Sequence, residues 1–532
     1  MTDFSPSAAL APPMIIQNAQ VLLPSGELAQ KDVAIADGKI TAVGMGLEVT
    51  ADTQTINGEG LTLLPGVIAP HVQFCQPTVE SLTLKPTAVA HQTAARQTFS
   101  HQTVSRQTTS RQTVSPQTVE HSQDLLADDL FTASCACARG GVTSFLEMPL
   151  AIPNGLSLTT TQAVLTEKLA IASCRSLVNY GFFSSATVHN SLDLHTVHPT
   201  CGIQLCMDSL CMDSGDKPLL VDTLAALEPI FAEGERLLAI QSMASAYPQD
   251  QRTPFSDFNT PVGHTDTKVS GTRDTGIQDT VTRDTGIQDH LTSLVITKQA
   301  LALAKKYQRR LHILQVSTSA EVNLLTSENK PSWVTADVMP QHLLLDMIKN
   351  RAVEMPAPMH SPLGDAKRDE RNQADLWQGL REGVIDFIAT SHTANALADS
   401  HTVKDYQTYP RDLLGLSGVE TSLALMLTQA KAGRCTVAQV SNWMSTAVAK
   451  AYNIPKKGLI ETGYDADLVL VDLSTYRPVL KEELTAKGSW MPFAGWTLTG
   501  WPVITIIGGQ VVYDHGNLDT RVRGMALQFD VN

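Results

Sequence analysis

The chain has 532 residues, 43% hydrophobic and 17% charged, with a formal net charge of −14 at pH 7; that is material for roughly two to four average domains, or for one large α/β barrel and a companion. An acidic balance with no basic stripe excludes nucleic acid as a partner. No run approaches about 18 apolar residues, and no basic stretch precedes an apolar one at the N-terminus, so the sequence reads as soluble and cytoplasmic with no membrane span. The eight cysteines (75, 135, 137, 174, 201, 206, 211 and 435) sit mainly in apolar stretches and read as reduced core thiols. Cys135-Ala-Cys137 and the group Cys201, Cys206 and Cys211 have the residue type for zinc but lack paired CxxC knuckles, which favours core packing.

Residues 14–63 alternate short β-branched runs with turn signals, and Asp37-Gly38 between two apolar runs marks a hairpin. The same grammar returns near the C-terminus in "GYDADLVLVDLS" and "GWPVITIIGGQVVYDHG", where Gly508-Gly509 separates two strands. Neither end can bury a core alone, so the two are expected to pair into one small β-sandwich. Between them, "GVTSFLEMP", "LVNYGFFSS", "GIQLCMD", "RLLAIQSM", "RLHILQVST", "SWVTADVMP" and "VIDFIATSH" read as strands alternating with helices such as Ser293 to Gln308. With the opening strand, eight such units predict a parallel (β/α)8 TIM-like barrel whose functional residues lie at the C-terminal strand ends.

Two segments break this pattern. Residues 91–120 are six tandem pentapeptides (HQTAA RQTFS HQTVS RQTTS RQTVS PQTVE), and residues 272–291 repeat TRDTG-IQDxx. A period of five fits neither helix nor strand, and the units lack apolar residues, so they read as polar, disordered insertions in barrel loops. The predicted organisation is 1–67 as the N-terminal part of the sandwich, 68–454 as the barrel with insertions at about 79–122 and 248–289, and 455–532 as the C-terminal part of the sandwich and a tail.

Seven motifs in order, "LPGVIAPHVQFCQP", "CARGGVTSFLEMP", "RLHILQVSTSAEV", "VTADVMPQHLLLD", "VIDFIATSH", "GVETSLALMLTQ" and "GYDADLVLVDL", together resemble the dihydroorotase branch of the amidohydrolase superfamily over nearly the whole chain outside the insertions. The resemblance implies an enzyme that opens or closes a cyclic amide with one or two zinc ions, held by imidazoles, a carboxylate and often a carboxylated lysine. Carried across residue by residue, however, the family's functional groups are replaced. The opening His-x-His is His71-Val72-Gln73, and the metal-bridging lysine is Gln204. Gln241 stands where relatives carry an active-site histidine; Gln315 in "HILQVST" and Gln341 in "MPQHLLL" replace two more. The catalytic aspartate of "ATDH" is Ser391, which leaves His71 as the sole principal ligand retained, with no carboxylate or carbamate to offset a divalent charge.

Substrate-binding positions are degenerate too. The family's carboxylate-gripping arginine is Cys75, the asparagine of "MPN" is Leu150, and that of "MNPPLR" maps to His360. Buried amides both donate and accept, so Gln73, Gln204, Gln241 and Gln315 are expected to satisfy one another. His312 reads as a satisfied core histidine, and His392 as facing away from Ser391 along one strand.

The expectation is a pseudoenzyme without cofactor, its zinc sites lost. The resemblance implies a structural subunit that supports aspartate transcarbamoylase in pyrimidine biosynthesis, a homo-oligomer within a larger assembly. The alternative is an active zinc-dependent dihydroorotase or related cyclic amidohydrolase, with a site remodelled from His71, His360 and His392 or with Cys75 as nucleophile.

Overall fold

The computed structural model describes residues 12–74, 130–149, 159–186, 190, 193–206, 228–241, 285–345, 366–390, 392–393, 418–485 and 492–530. The pentapeptides of 91–120 lie outside the described residues, as do Cys75, Leu150, His360 and Ser391.

Five strands open the chain: β1 (Met14–Leu22), β2 (Leu28–Ala36), β3 (Lys39–Gly44), β4 (Gln54–Asn57) and β5 (Thr62–Pro65). Ten short strands form the barrel wall: β6 (Val67–Gln73), β7 (Val142–Glu147), β8 (Asn179–Phe182), β9 (Ser184–Ser185), β10 (Ile203–Cys206), β11 (Leu238–Gln241), β12 (Leu311–Leu314), β13 (Val334–Val338), β14 (Phe387–Ile388) and β15 (His392–Thr393). Six close the chain: β16 (Leu468–Asp472), β17 (Arg477–Pro478), β18 (Thr497–Leu498), β19 (Trp501–Ile507), β20 (Gln510–Asp514) and β21 (Asn517–Leu518).

The chain ends share one nine-stranded sheet in the order β21-β20-β19-β16-β5-β1-β2-β3, with β4 on β1. Its N- and C-terminal halves join where β5 and β16 run antiparallel, Leu64 opposite Val469. The sheet curls on itself, because the tip of the β2–β3 hairpin meets that of β19–β20. A Cβ on Gly38 would stand 3.1 Å from the Gly508 carbonyl oxygen. Both tips need left-handed backbone at two successive residues, Asp37 and Gly38 (φ 52° and 73°) and Gly508 and Gly509 (51° and 74°), which is why Asp-Gly and Gly-Gly occupy them. Inside the curl, Ile16, Val21, Val33, Ile35, Leu468, Leu470 and Ile506 form one apolar cluster.

The ten wall strands occupy eight positions, all with parallel neighbours, in two arcs: β15-β6-β7-β8 and β9 through β14. Two interrupted positions, β8/β9 and β14/β15, carry the wall from one arc to the other. Closure is made by β15 on β6, His392 opposite Val72. Continuous apolar runs suit such strands because both faces are buried. Val67, Phe145, Ile203, Ile240, Ile313 and Val338 face the helices in the main core cluster. Ile68, Leu146, Ala239, Leu314 and Phe387 belong to a second cluster in the barrel interior.

The helix expected from Ser293 begins earlier, at α1 (Thr285–Tyr307). The last residues of the second repeat, and of the insertion drawn as 248–289, are thus helical. Ile287, Leu291 and Leu294 carry the helical apolar spacing back into that repeat, which its polar composition obscured. No helix among the described residues is long and apolar enough to cross a membrane.

A buried polar junction joins sheet to barrel. Lys457 Nζ pairs with Asp465 Oδ2 (3.1 Å) and with Asp467. Asp467 also accepts from Asn179 Nδ2 and from the Gly508 backbone N–H, each at 2.8 Å. Beyond β21, residues 519–530 run back beneath the barrel: Tyr180 N–H donates to the Met525 carbonyl, and Leu527 N–H to the Tyr180 carbonyl. Leu527 and Phe529 thereby join the interior cluster.

Candidate functional site

The barrel mouth is built from the ends of strands. In β6 the pairing with β7 shifts register between Ala69 and Val72, and His71 and Gln73 follow as buried polar residues where the strand would otherwise be apolar. Gln204 lies in β10, buried, and its Oε1 has no partner among the described residues. Gln241 ends β11 opposite Cys206 and Leu314, two residues further along the wall than Gln204, which pairs with Ala239, and one short of the level of Gln315.

Gln315, just past β12, adopts a left-handed conformation (φ 59°), unusual for a side chain of its size. Two hydrogen bonds accompany it. Its backbone N–H donates to Asp337 Oδ1 (2.7 Å), and its Nε2 donates to His71 Nδ1 (3.2 Å). Gln315 is thus hydrogen-bonded to His71, a partner outside the expected set of glutamines.

His71 is 1% exposed. Burial holds its pKa down at about 4, against the pull of Asp337, while His312 adds to the lowering. The imidazole is therefore neutral near pH 7, and a donor at Nδ1 places its one proton on Nε2.

Asp337 of β13 corrects the sequence reading, which left no carboxylate in this region. It is fully buried, near His71, and both oxygens are engaged: Oδ1 by Gln315 and Oδ2 by His312 Nε2 (2.9 Å). His312 Nδ1 meets Thr335 Oγ1 (2.9 Å), and its ring stacks on Phe387 with centroids 4.7 Å apart, so both nitrogens are partnered, as its position in the strand suggested. An aspartate inside the apolar run of "VTADVMP" was the available signal, since a lone buried charge requires a partner.

Other candidate residues lie apart from this cluster. His392 faces the wall rather than the interior: its Nδ1 accepts from the Gly418 N–H (3.0 Å), its ring is edge-on to Phe74 at 5.3 Å, and burial depresses its pKa to about 3. Gln341, in the short helix α2 (Pro340–Leu344), donates Nε2 to Met339 Sδ at 2.9 Å. The adjacent His342 is held near pKa 4 by burial, which outweighs Glu321, the Val316 backbone and Asp337.

Residues 281–512 match the sequence model of the Amidohydrolase family. The chain is 25% identical over 506 residues to the dihydroorotase of Listeria monocytogenes serovar 1/2a, covering 95% of this chain and 99% of that protein. The dihydroorotase of Bacillus subtilis strain 168 matches with the same identity and coverage. The chain is dihydroorotase-like. Solved structures agree on the fold: dihydropyrimidinase from Brevibacillus agri superposes with a TM-score of 0.68 at 19% identity, covering 98% of this chain and 99% of that one. The L-hydantoinase of Arthrobacter aurescens gives 0.68 at 21% identity, over 96% and 98%. Among the described residues the barrel mouth, where such a fold places its chemistry, brings together the His71 imidazole, buried carboxamides at 73, 204 and 315, and the Asp337 carboxylate with both oxygens engaged.

Proposed function

We propose that this chain is a non-catalytic dihydroorotase homologue, a homo-oligomeric structural subunit that supports the assembly of aspartate transcarbamoylase in pyrimidine biosynthesis. The observation that carries the non-catalytic reading is the hydrogen bond from Gln315 to His71. With Nδ1 occupied by a donor and the proton on Nε2, the imidazole offers a metal no free lone pair.

Zinc also does not fit the donor set. Carboxamides at 73, 204, 241 and 315 replace imidazole and carbamate, and a neutral amide is a poor ligand for zinc. Among the described residues, no three His, Cys, Asp or Glu side chains group closely enough to hold a metal ion. No step is therefore routed through a metal. The partner rests on the resemblance to inactive dihydroorotase homologues, and the well-kept sheet and barrel outside the mouth suit a role in shape rather than chemistry.

Asp337 beside His71 favours a second reading, an active cyclic amidohydrolase with a remodelled site, since a carboxylate and an imidazole on nearby strands are the start of a ligand set. Purified protein distinguishes the two. The pseudoenzyme reading predicts substoichiometric zinc by elemental analysis and no hydrolysis of dihydroorotate; near-stoichiometric zinc with turnover overturns it. Co-expression with aspartate transcarbamoylase from the same organism, followed by size-exclusion chromatography, tests the partner. Separate elution with unchanged transcarbamoylase activity refutes it.

A further inference from the structure

At the opposite end of the barrel, three successive α-to-β connections supply basic side chains beneath β10, β11 and β12. His195 lies in the short 3-10 turn Asp193–Thr196 ahead of β10, Arg236 just before β11, and Arg309 and Arg310 just before β12. The connections abut through backbone bonds, Ile203 N–H to the Leu237 carbonyl and Leu238 N–H to the Arg310 carbonyl.

Two of these side chains have neutral partners. Arg310 donates to the Ala451 carbonyl, and Arg236 Nη1 donates to the Val197 carbonyl and to Thr200 Oγ1. Arg309 is different. It is 3% exposed, and Nε, Nη1 and Nη2 are all buried without a hydrogen-bond partner among the described residues. His195 Nε2, in the same electrostatic neighbourhood, is likewise buried and has no hydrogen-bond partner among the described residues. The His195 ring lies against Gly234, where a Cβ would stand 2.4 Å from Nδ1, so the loop backbone itself makes room for the imidazole.

A guanidinium stripped of water with every nitrogen unpaired is among the costliest states a side chain can occupy. Glu233 and Glu235, in the same connection, lie close enough to act electrostatically on His195 and Arg309 respectively, but both are exposed, and no ion pair between either and an arginine is seen among the described residues. The missing counter-charge has to present several acceptor oxygens, to take the fork of Arg309 together with an Nε2–H from His195. It should also carry more than one negative charge, since Arg236 adds a second cation.

We propose that Arg309, Arg236 and His195 form a binding site for a phosphate-class oxyanion, either free phosphate or the phosphoryl group of a metabolite. The site lies on the barrel face associated with stability rather than catalysis, so its ligand stabilises or regulates the fold instead of reacting. Burial and the neighbouring cations hold the Arg309 pKa down at about 10, which still leaves it charged at neutral pH.

The full chain, dialysed free of phosphate, is titrated with inorganic phosphate and separately with ribose 5-phosphate, with sodium chloride matched for ionic strength. Binding is read by calorimetry and by thermal melting. Both probes are expected to bind and to raise Tm by several degrees. Tighter binding of the sugar phosphate identifies a metabolite as the source, and equal or weaker binding identifies free phosphate. Arg309→Met is expected to weaken binding at least about ten-fold and, without phosphate, to melt at or above wild type because it removes an uncompensated charge. His195→Phe, which keeps a ring but removes Nε2, is expected to weaken binding several-fold and serves if Arg309→Met does not fold. The proposal is overturned if wild type responds to neither probe beyond chloride, or if affinity is unchanged in the variants. It is equally overturned if Arg309→Met melts several degrees below wild type in phosphate-free buffer, because Arg309 then has an anionic partner within the chain.

Discussion

The junction between sheet and barrel and the mouth of the barrel are both buried and polar, yet they are built on opposite principles. At the junction, full charges are retained and paired: Lys457 lies between Asp465 and Asp467, and Asp467 takes two further hydrogen bonds. At the mouth the principal ligand position carries a neutral imidazole tied to an amide, and Gln204 Oε1 has no partner among the described residues. Charge persists where two parts of the fold must meet in one register, because removing one partner of a buried pair is costly. At the mouth, neutral amides and a neutral imidazole lie beside the Asp337 carboxylate, whose two oxygens are both engaged.

This contrast can be broken experimentally. Asp467→Ala leaves Lys457 short of a carboxylate and strands the Gly508 N–H, and should cost about 3–5 kcal/mol in urea unfolding; a loss under about 1 kcal/mol would mean the junction is not held by charge. The pH dependence comes next in size. His71 has a folded pKa near 4, below the ordinary 6.5, so the unfolded chain binds more protons than the folded one between those values. Stability from this group is present above about pH 6.5 and is lost as pH falls toward 4. His71→Gln should flatten the denaturation profile in that window, narrowing its gap to wild type by about 3 kcal/mol between pH 7 and pH 4. Parallel profiles would show that His71 is not held neutral.

Smaller effects sharpen the picture of the mouth. Gln315→Leu leaves His71 Nδ1 without its donor and should destabilise by about 1–2 kcal/mol, with nitrogen NMR reporting loss of the single Nε2–H tautomer. Gln204→Leu removes an acceptor with no partner among the described residues and should shift stability by less than about 1 kcal/mol in either direction. A loss of several kcal/mol there would reveal an ordered group that the Oε1 atom holds.

The strands were legible because parallel barrel strands are apolar on both faces, and the hairpin tips because Asp37-Gly38 and Gly508-Gly509 supply left-handed backbone. Gln73, Gln204, Gln241 and Gln315 could be placed at strand ends from motif spacing alone. Their bonding could not. That Gln315 meets His71 depends on a positive φ and on a contact 244 residues away in sequence. Asp337 was passed over because its importance comes from His312 on the neighbouring strand, a pairing that no local pattern encodes. The cations at the barrel's other end were equally silent, as each belongs to a different connection and acquires meaning only when β10, β11 and β12 lie side by side.

The pairing of β5 with β16 sets a clock for the protein's birth. Leu64 leaves the ribosome about 400 residues before its partner Val469 exists, roughly 20–80 s at ordinary rates of synthesis. Throughout that interval β5 presents an unsatisfied edge to its surroundings. The nascent chain must keep that edge from other polypeptides until its own distant strand arrives.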